Sequence, residues 1–334
     1  MTTFISSQSW LILMLIFAAS LYLLSKATDH LVDHAVTLSR QFGVSELLIG
    51  ATIVSLGTTL PELATSVVAL INGTTDFALG NAIGSVVTNT TLVLGVGSLA
   101  GSMPVAKTTA SRLPFLIGPI LLMIVASKYP FEQHFFSAGQ IHPLIGVALL
   151  LGLALYMRLS FRKPAGEAEH KEKAVEPNQP TALFLKEGLI IFISAVGVAA
   201  SASILVSTVE TAASRLGVSE AVIAGTVVAL GTSLPELSTT YASVKKGYGG
   251  LAIGNIIGAN SLNLLLVLGV SIAFSPAGLG VPTIFYQLHF PLAVIVIGML
   301  TYFIFNTKKL VISKREGLIL LVVYFIYLLL NLVL

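Results

Sequence analysis

Long apolar stretches follow one another along almost the whole chain, and the polar positions are confined to short intervals between them. Runs able to cross about 30 Å of hydrocarbon occupy residues 10–38, 45–71, 77–100, 113–127, 139–159, 184–213, 219–243, 250–274, 283–306 and 316–334. Each predicts a helix, because a lipid interior offers no water to the backbone and only helices and closed barrels satisfy their own hydrogen bonds. The expected fold is an all-α integral membrane protein of ten transmembrane helices. The first run carries Lys26, Asp29 and Asp33. No basic residue precedes it and no small-residue cleavage pattern follows, so it is expected to be a retained span rather than a signal peptide.

One interval is different. Arg162 to Pro180 holds mixed charge and Pro164, Pro177 and Pro180, which makes it the expected aqueous linker. The chain then divides into a first half at 1–161, a cytoplasmic linker at 162–182 and a second half at 183–334.

The halves are related by a repeat. Gly43 to Val96 aligns without a gap to Gly217 to Val270 at an offset of 174, with about half of the positions identical. The copies begin at the second and seventh spans, five crossings apart, and an odd number of crossings makes them enter the membrane from opposite sides. The architecture expected is two inverted five-helix repeats.

Composition agrees with a lipid solvent: 55% of the 334 residues are hydrophobic and 10% charged, with a mean hydropathy of +0.93. That leaves too little polar surface for a soluble globule of this length. The net charge of +3 is read as basic residues gathering in cytoplasmic loops, not as nucleic-acid binding. With Met1 placed outside, fifteen of the eighteen Lys and Arg residues fall inside: Arg40, Lys107, Arg112, Arg158, Arg162, Lys163, Lys171, Lys173, Lys186, Lys245, Lys246, Lys308, Lys309, Lys314 and Arg315. Only Lys128 and Arg215 fall outside, and Lys26 lies within a span. Both termini are therefore expected to be extracytoplasmic, in an inner (cell) membrane protein. The absence of cysteine removes thiolate metal sites and cysteine nucleophiles, leaving oxygen as the main candidate ligand.

Two segments in each copy break the rule that a membrane helix is apolar. The first is Gly57-Thr58-Thr59-Leu60-Pro61-Glu62, matched by Gly231-Thr232-Ser233-Leu234-Pro235-Glu236. The second is Gly80-Asn81-Ala82-Ile83-Gly84-Ser85 with Asn89, matched by Gly254-Asn255-Ile256-Ile257-Gly258-Ala259 with Asn260 and Asn263. An ionisable group at mid-membrane costs on the order of 3 kcal/mol or more, so Glu62 and Glu236 are functional candidates. The prolines predict breaks at Thr58 to Pro61 and Thr232 to Pro235 where carbonyl oxygens come free. Hydroxyls, amides and carboxylates at one depth supply the oxygens of a hard cation site, roughly six to eight for calcium. Two glutamates carry the charge that one divalent ion neutralises. Glycines 57, 80, 84, 231, 254 and 258 fit close helix approach around a pseudo-twofold axis.

Asp29, His30, Asp33 and His34 read as a polar helix face or membrane-interface residues, with a role in ion access as the alternative. Trp10, Tyr302 and Tyr324 read as lipid-facing or interfacial aromatics. His134, His142 and His289 show no metal-ligand spacing.

The paired motifs GTTLPE with GNAIGS and GTSLPE with GNIIGAN resemble the two alpha repeats of the sodium/calcium exchanger branch of the calcium/cation antiporter superfamily. The resemblance spans both repeats and, through the ten-span layout, essentially the whole chain. It implies a core of spans two, three, seven and eight around the ions, with spans one and six tilted across it and sliding between inward-open and outward-open states. It also implies that one Ca²⁺ competes with several Na⁺ for overlapping sites. Carried over by position, Glu62 and Glu236 match the central calcium ligands; Thr58 and Thr232 match positions binding through carbonyl and side chain; Thr59 and Ser233 are their hydroxyl neighbours. Asn89 and Asn263 match the amide-or-acid position, and the amide at Asn263 argues against potassium co-transport. Ser85 matches a sodium-site serine whose counterpart here is Ala259. Val86 replaces an asparagine of the motif and is expected to affect packing.

The function expected is Ca²⁺/Na⁺ antiport by alternating access, by a monomer in the lipid bilayer that is not an enzyme, holds no cofactor and binds only its transported ions. A proton-coupled divalent antiporter of the same fold is the alternative. An intramembrane hydrolase lacks a recognisable nucleophile or oxyanion donor beside the two acids, and a passive channel lacks a repeated pore-forming pattern.

Overall fold

The structure, a computed structural model, describes residues 5, 7–71, 73, 75–105, 107–128, 137–161, 181–217, 229–306 and 310–333. The expected linker lies almost wholly outside the described residues, and the expected seventh span is described from residue 229 onward.

The first helix, α1 (Trp10–Phe42), starts at Ser9, whose side chain accepts from the Ile12 amide, and stops at Gly43. Gly43 takes φ 61°, and its N–H and that of Val44 return to Arg40 O and Ser39 O. This left-handed cap satisfies the last carbonyls of the helix, and glycine adopts it without steric cost. Next, α2 runs through Glu46–Ile49, a π turn at Gly50–Val54, and Ser55–Ile71. α3 comprises Thr75–Thr88, a π turn at Asn89–Val93, and Leu94–Ala100. Then come α4 (Pro114–Ala126), α5 (Pro143–Ser160) and α6 (Thr181–Arg215), the first two opened by prolines whose missing N–H costs a helix nothing at that position.

The second copy repeats the order. α7 consists of Ala229–Thr232 and Leu234–Lys245; α8 of Gly249–Leu262, a π turn at Asn263–Val267, and Leu268–Ala273. The end of α7 and the π turn of α8 stand 174 residues after their counterparts in α2 and α3. α9 (a π turn at Phe285–His289, then Phe290–Asn306) and α10 (Lys314–Val333) complete the chain. Among the described residues, seven helices are long and apolar enough to cross a membrane by length and composition.

Among the described residues, four short strands add a feature that helical periodicity did not predict. β1 (Met103–Pro104) pairs antiparallel with β4 (Val311–Ile312), and β2 (Gly139–Ile141) with β3 (Leu279–Val281). Each ribbon joins one half of the chain to the other. Other contacts also link segments assigned to one side of the membrane: Arg215 donates to Gln8 O at 2.6 Å, and Lys246 lies 3.0 Å from Asp29 and 2.8 Å from Asp33.

Buried side chains form two clusters. The larger includes Ile83, Val87, Ile256, Leu264, Val296 and Tyr324, from α3, α8, α9 and α10. The smaller gathers Leu31, Val32 and Ala35 of α1 against Ile191, Ala195 and Val198 of α6, bordered by Ile49, Val54 and Leu251. Tyr302 is 60% exposed as expected, whereas Tyr324 is 2% exposed and belongs to the core. Both faces of α10 are apolar, so its sequence does not reveal which side meets lipid.

Glycine permits a close crossing of α2 and α8. Cβ atoms added at Gly50, Gly254 or Gly258 would strike backbone or side-chain atoms across the α2–α8 contact, with Gly50 meeting the Leu251 carbonyl and Gly254 the Leu47 carbonyl. α6 lies against both motif glycines. A Cβ at Gly57 would stand 2.6 Å from that of Ala195, and one at Gly231 would strike Val206. Gly80 and Gly84 have only ordinary contacts, with Phe285 and Tyr327, so the tight approach expected there is absent.

Candidate functional site

Thr58 and Thr59 stand three and four positions after Ser55 and four and three before Glu62, which puts all four on one face of α2. That face is turned inward: their exposures are 0%, 1%, 1% and 0%. In α7, Ser233 and Glu236 are fully buried, while Thr232 is partly exposed. α3 contributes Ser85 and Asn89 one turn apart, and α8 contributes Asn263. All three are buried.

The local backbone differs between the copies. In α7 the break expected at Thr232 to Pro235 is present, with Ser233 outside the helical region at φ −90°, ψ 4°. In α2 the helix passes through Pro61 without interruption. There the irregularity sits upstream in the π turn at Gly50–Val54, where lateral contact with α8 is closest. Pro61 and Pro235 still withhold the N–H groups that would bond the carbonyls of Gly57 and Gly231.

The most informative property of these side chains is what they lack. Both carboxylate oxygens of Glu62 and of Glu236, the hydroxyls of Thr59, Ser85 and Ser233, and the amides of Asn89 and Asn263 are buried with no hydrogen-bond partner. Native proteins satisfy nearly all buried polar groups, and each orphan costs about 1–3 kcal/mol. With two carboxylates among them, these orphaned oxygens on α2, α3, α7 and α8 are a donor set that can take up a cation. The charge of Glu236 acts on Glu62, so the two acids repel unless a cation or proton joins them. Every oxygen in the set is hard, the ligand chemistry of Na⁺ or Ca²⁺. Among the described residues no group of three or more His, Asp and Glu could hold a metal; hydroxyls and amides make up the balance here.

Neighbouring hydrogen bonds hold the frame. Asn81 Nδ2 donates to Glu62 O at 3.1 Å and Ser66 Oγ at 3.0 Å, tying α3 to α2. Its repeat counterpart Asn255 accepts from Thr58 Oγ1 at 3.3 Å, tying α8 to α2. Thr58 is thus the one predicted hydroxyl on α2 that already has partners. The Tyr156 hydroxyl of α5 donates to Ala51 O at 2.7 Å within the π turn, and Arg112 donates to that hydroxyl at 3.2 Å.

Several features were not anticipated from sequence. Thr239, Thr240 and Ser243 carry orphaned, fully buried hydroxyls; their offsets of three, four and seven from Glu236 were the available signal. Asp29 and Asp33 pair with Lys246 at the end of α7, and His34 Nδ1 meets Glu187 Oε2 at 2.6 Å. Asp29, Asp33 and His34 of the polar face of α1 therefore bond to other helices, while His30 stacks on His34. His134 lies outside the described residues, His142 caps α5, and half-buried His289 meets Tyr327.

Apolar helices closed around orphaned carboxylate, hydroxyl and amide oxygens define a multi-pass membrane protein that handles cations. A family profile described as sodium/calcium exchanger protein matches residues 12–162 and 187–333. The chain belongs to that family, as the paired motifs implied. It is 34% identical over 267 residues to the inner membrane protein YrbG of Escherichia coli K12, covering 77% of this chain and 78% of YrbG. It is 28% identical over 343 residues to the sodium/calcium exchanger MaX1 of Methanosarcina acetivorans, covering 94% and 97%. The fold matches the solved structure of the sodium-calcium exchanger NCX_Mj soaked with Na⁺ and Sr²⁺ at a TM-score of 0.78 and 28% identity, over 95% of this chain and 98% of that one.

Proposed function

We propose that this chain is a secondary active antiporter that exchanges Ca²⁺ for Na⁺ by alternating access, with Glu62 and Glu236 as the shared ligands. The observation that carries the reading is the pair of fully buried carboxylates whose four oxygens have no partner, accompanied by further orphaned oxygens on the same helices and on α3 and α8. Two negative charges in a water-poor space match one divalent ion, and several sodium ions serve the same oxygens in turn. Thr59, Ser233, Ser85, Asn89 and Asn263 complete the cage with neutral oxygens, while Thr58 and Thr232 contribute from four positions before each carboxylate. The ions are cargo; the reading assigns no resident cofactor and no enzymatic reaction.

The same reading takes the chain as ten crossings in two inverted repeats, 1–161 and 183–334 joined by 162–182, acting as a monomer in the inner membrane with both termini outside. The shared offset of 174 and the contacts between like-sided segments support it. Access alternates as α1 and α6 slide together across α2 and α7, where Gly57 and Gly231 let α6 lie flush.

The test is ⁴⁵Ca²⁺ uptake into proteoliposomes with and without an outward sodium gradient, on wild type, Glu62→Gln and Glu236→Gln. Sodium-driven uptake in wild type, lost in both variants, is expected. Uptake that ignores sodium and follows an imposed pH gradient would replace this reading with proton coupling; unchanged transport in both variants would remove the site.

A further inference from the structure

The two halves of the cage are unequal. α3 offers Ser85 and Asn89, whereas at the matching positions α8 offers only Asn263, because Ala259 has no side-chain oxygen. Immediately after Ala259 stands Asn260, fully buried, with Nδ2 donating to Thr90 Oγ1 of α3 at 2.9 Å. Thr90 Oγ1 in turn donates to Val86 O at 2.7 Å. A hydroxyl has one proton. Since that proton is committed to Val86, Thr90 can only accept from Asn260, which fixes the amide with its NH₂ toward Thr90 and its oxygen at the other end. This network settles the orientation that an amide would otherwise leave ambiguous. The fixed oxygen, Asn260 Oδ1, is buried and has no partner.

The fold does not require this polar pair. At the repeat-related position the same contact is occupied by Val86, counterpart of Asn260, and Leu264, counterpart of Thr90, each fully buried. Val86 and Leu264 belong to one apolar cluster; the Asn260–Thr90 pair instead leaves a buried oxygen without a partner, on the residue after Ala259 and three positions before Asn263.

We propose that Asn260 Oδ1 is a cation ligand, held by Thr90, that replaces on α8 the oxygen Ala259 does not supply, and that it serves Na⁺ above all. This rests on the antiport reading. A neutral amide oxygen adds no charge, so the paired carboxylates dominate calcium binding without it. For a monovalent ion held largely by neutral oxygens its loss removes a larger share of the shell.

Full-length protein in proteoliposomes provides two readouts: the Na⁺ concentration giving half-maximal ⁴⁵Ca²⁺ release, and the Ca²⁺ concentration giving half-maximal Ca²⁺/Ca²⁺ exchange without sodium. Asn260→Val, which copies the first repeat, is expected to raise the sodium requirement several-fold with the calcium value nearly unchanged. Adding Ala259→Ser is expected to recover much of the loss, which a purely packing role for Asn260 would not give. Thr90→Val, which keeps the ligand but frees the amide, should shift sodium in the same direction by less, and serves if Asn260→Val does not fold. An unchanged sodium requirement in Asn260→Val or, failing that, in Thr90→Val overturns the proposal, as do equal losses for both ions that Ala259→Ser fails to restore. Wild-type calcium flux blind to sodium would instead overturn the antiport reading and this assignment with it.

Discussion

Over their most apolar stretches α3 and α8 bury 78% and 83% of their residues, whereas α1 and α6 bury 22% and 39%. The first two are surrounded: they carry Asn89 and Asn263 and cross other helices at backbone distance. The second two form a pair with its own small cluster of apolar side chains, bordering the core along one side. A densely packed interior is stiff because any displacement opens voids or creates clashes. A pair packed mainly on itself, meeting its neighbour through glycine and alanine, shifts with far less repacking. On the antiport reading proposed above, this difference assigns binding to one region and movement to the other, with ligands held still in the first and access controlled by the second.

The sharpest way to break this division is to remove charge from the rigid region. Glu62→Gln and Glu236→Gln should each weaken calcium binding by about 3 kcal/mol or more, roughly a hundredfold, as read by ⁴⁵Ca²⁺ binding to purified protein. The orphaned oxygens already lower stability without an ion, so the empty variants are expected to be no less heat-stable than empty wild type. Added calcium should raise the melting temperature of wild type and of neither variant.

The two glycine contacts come next, because they look alike in sequence and should fail differently. Gly254→Val would drive a side chain into the Leu47 carbonyl between α2 and α8. Overpacking costs about 1–3 kcal/mol even where neighbours yield, and backbone yields little, so loss of folded protein on size exclusion is expected. Gly57→Ala meets only the Ala195 methyl, 2.6 Å from the new Cβ, across the boundary with α6. This variant should fold and bind calcium almost normally while its turnover falls, with Ala195→Gly restoring the rate. Equal loss of binding and turnover in Gly57→Ala would place α6 within the rigid region.

How much of this was legible in the chain depended on what sets each feature. The repeat and its motifs were visible because buried glutamate, asparagine and threonine stand out against leucine and valine, and helix boundaries follow cap and proline chemistry held in a few adjacent residues. The π turns were not visible. They differ from α-helix by one residue in hydrogen-bond register, which packing at contacts such as Gly50 against Leu251 decides. The two-residue strands β1 and β4 are too short for a period-two signal and find partners more than 200 residues away. The burial of Tyr324 escaped because lipid and protein interior are both apolar, so the periodicity that exposes the inner face of a water-soluble helix carries little information here.

The smallest effect concerns the salt bridges, and it tests where the boundary between the regions runs. His34 and Glu187 join α1 to α6, both within the pair proposed to move. Lys246 at the end of α7 instead reaches Asp29 and Asp33 of α1, joining the pair to the core. Burial opposes the charged form of Lys246, but its hydrogen bonds and attraction to Asp33 and Asp29 outweigh this and raise its pKa above the ordinary 10.5. A cation stabilised in this way gives its full contribution below the ordinary lysine value and loses it as pH rises through the higher folded value, so its charge persists throughout the neutral range. The side chains are partly solvated, which limits the bridge to about 1 kcal/mol or less. Lys246→Gln should therefore change the proportions of inward-open and outward-open protein only a few-fold. Cysteine labelling from each side of the membrane would read that change, and raised salt should mimic it in wild type. Glu187→Gln, which leaves the pair tied to the core as before, should lower thermal stability without altering the proportions. If Glu187→Gln shifted access and Lys246→Gln did not, α1 and α6 would be moving against each other rather than together.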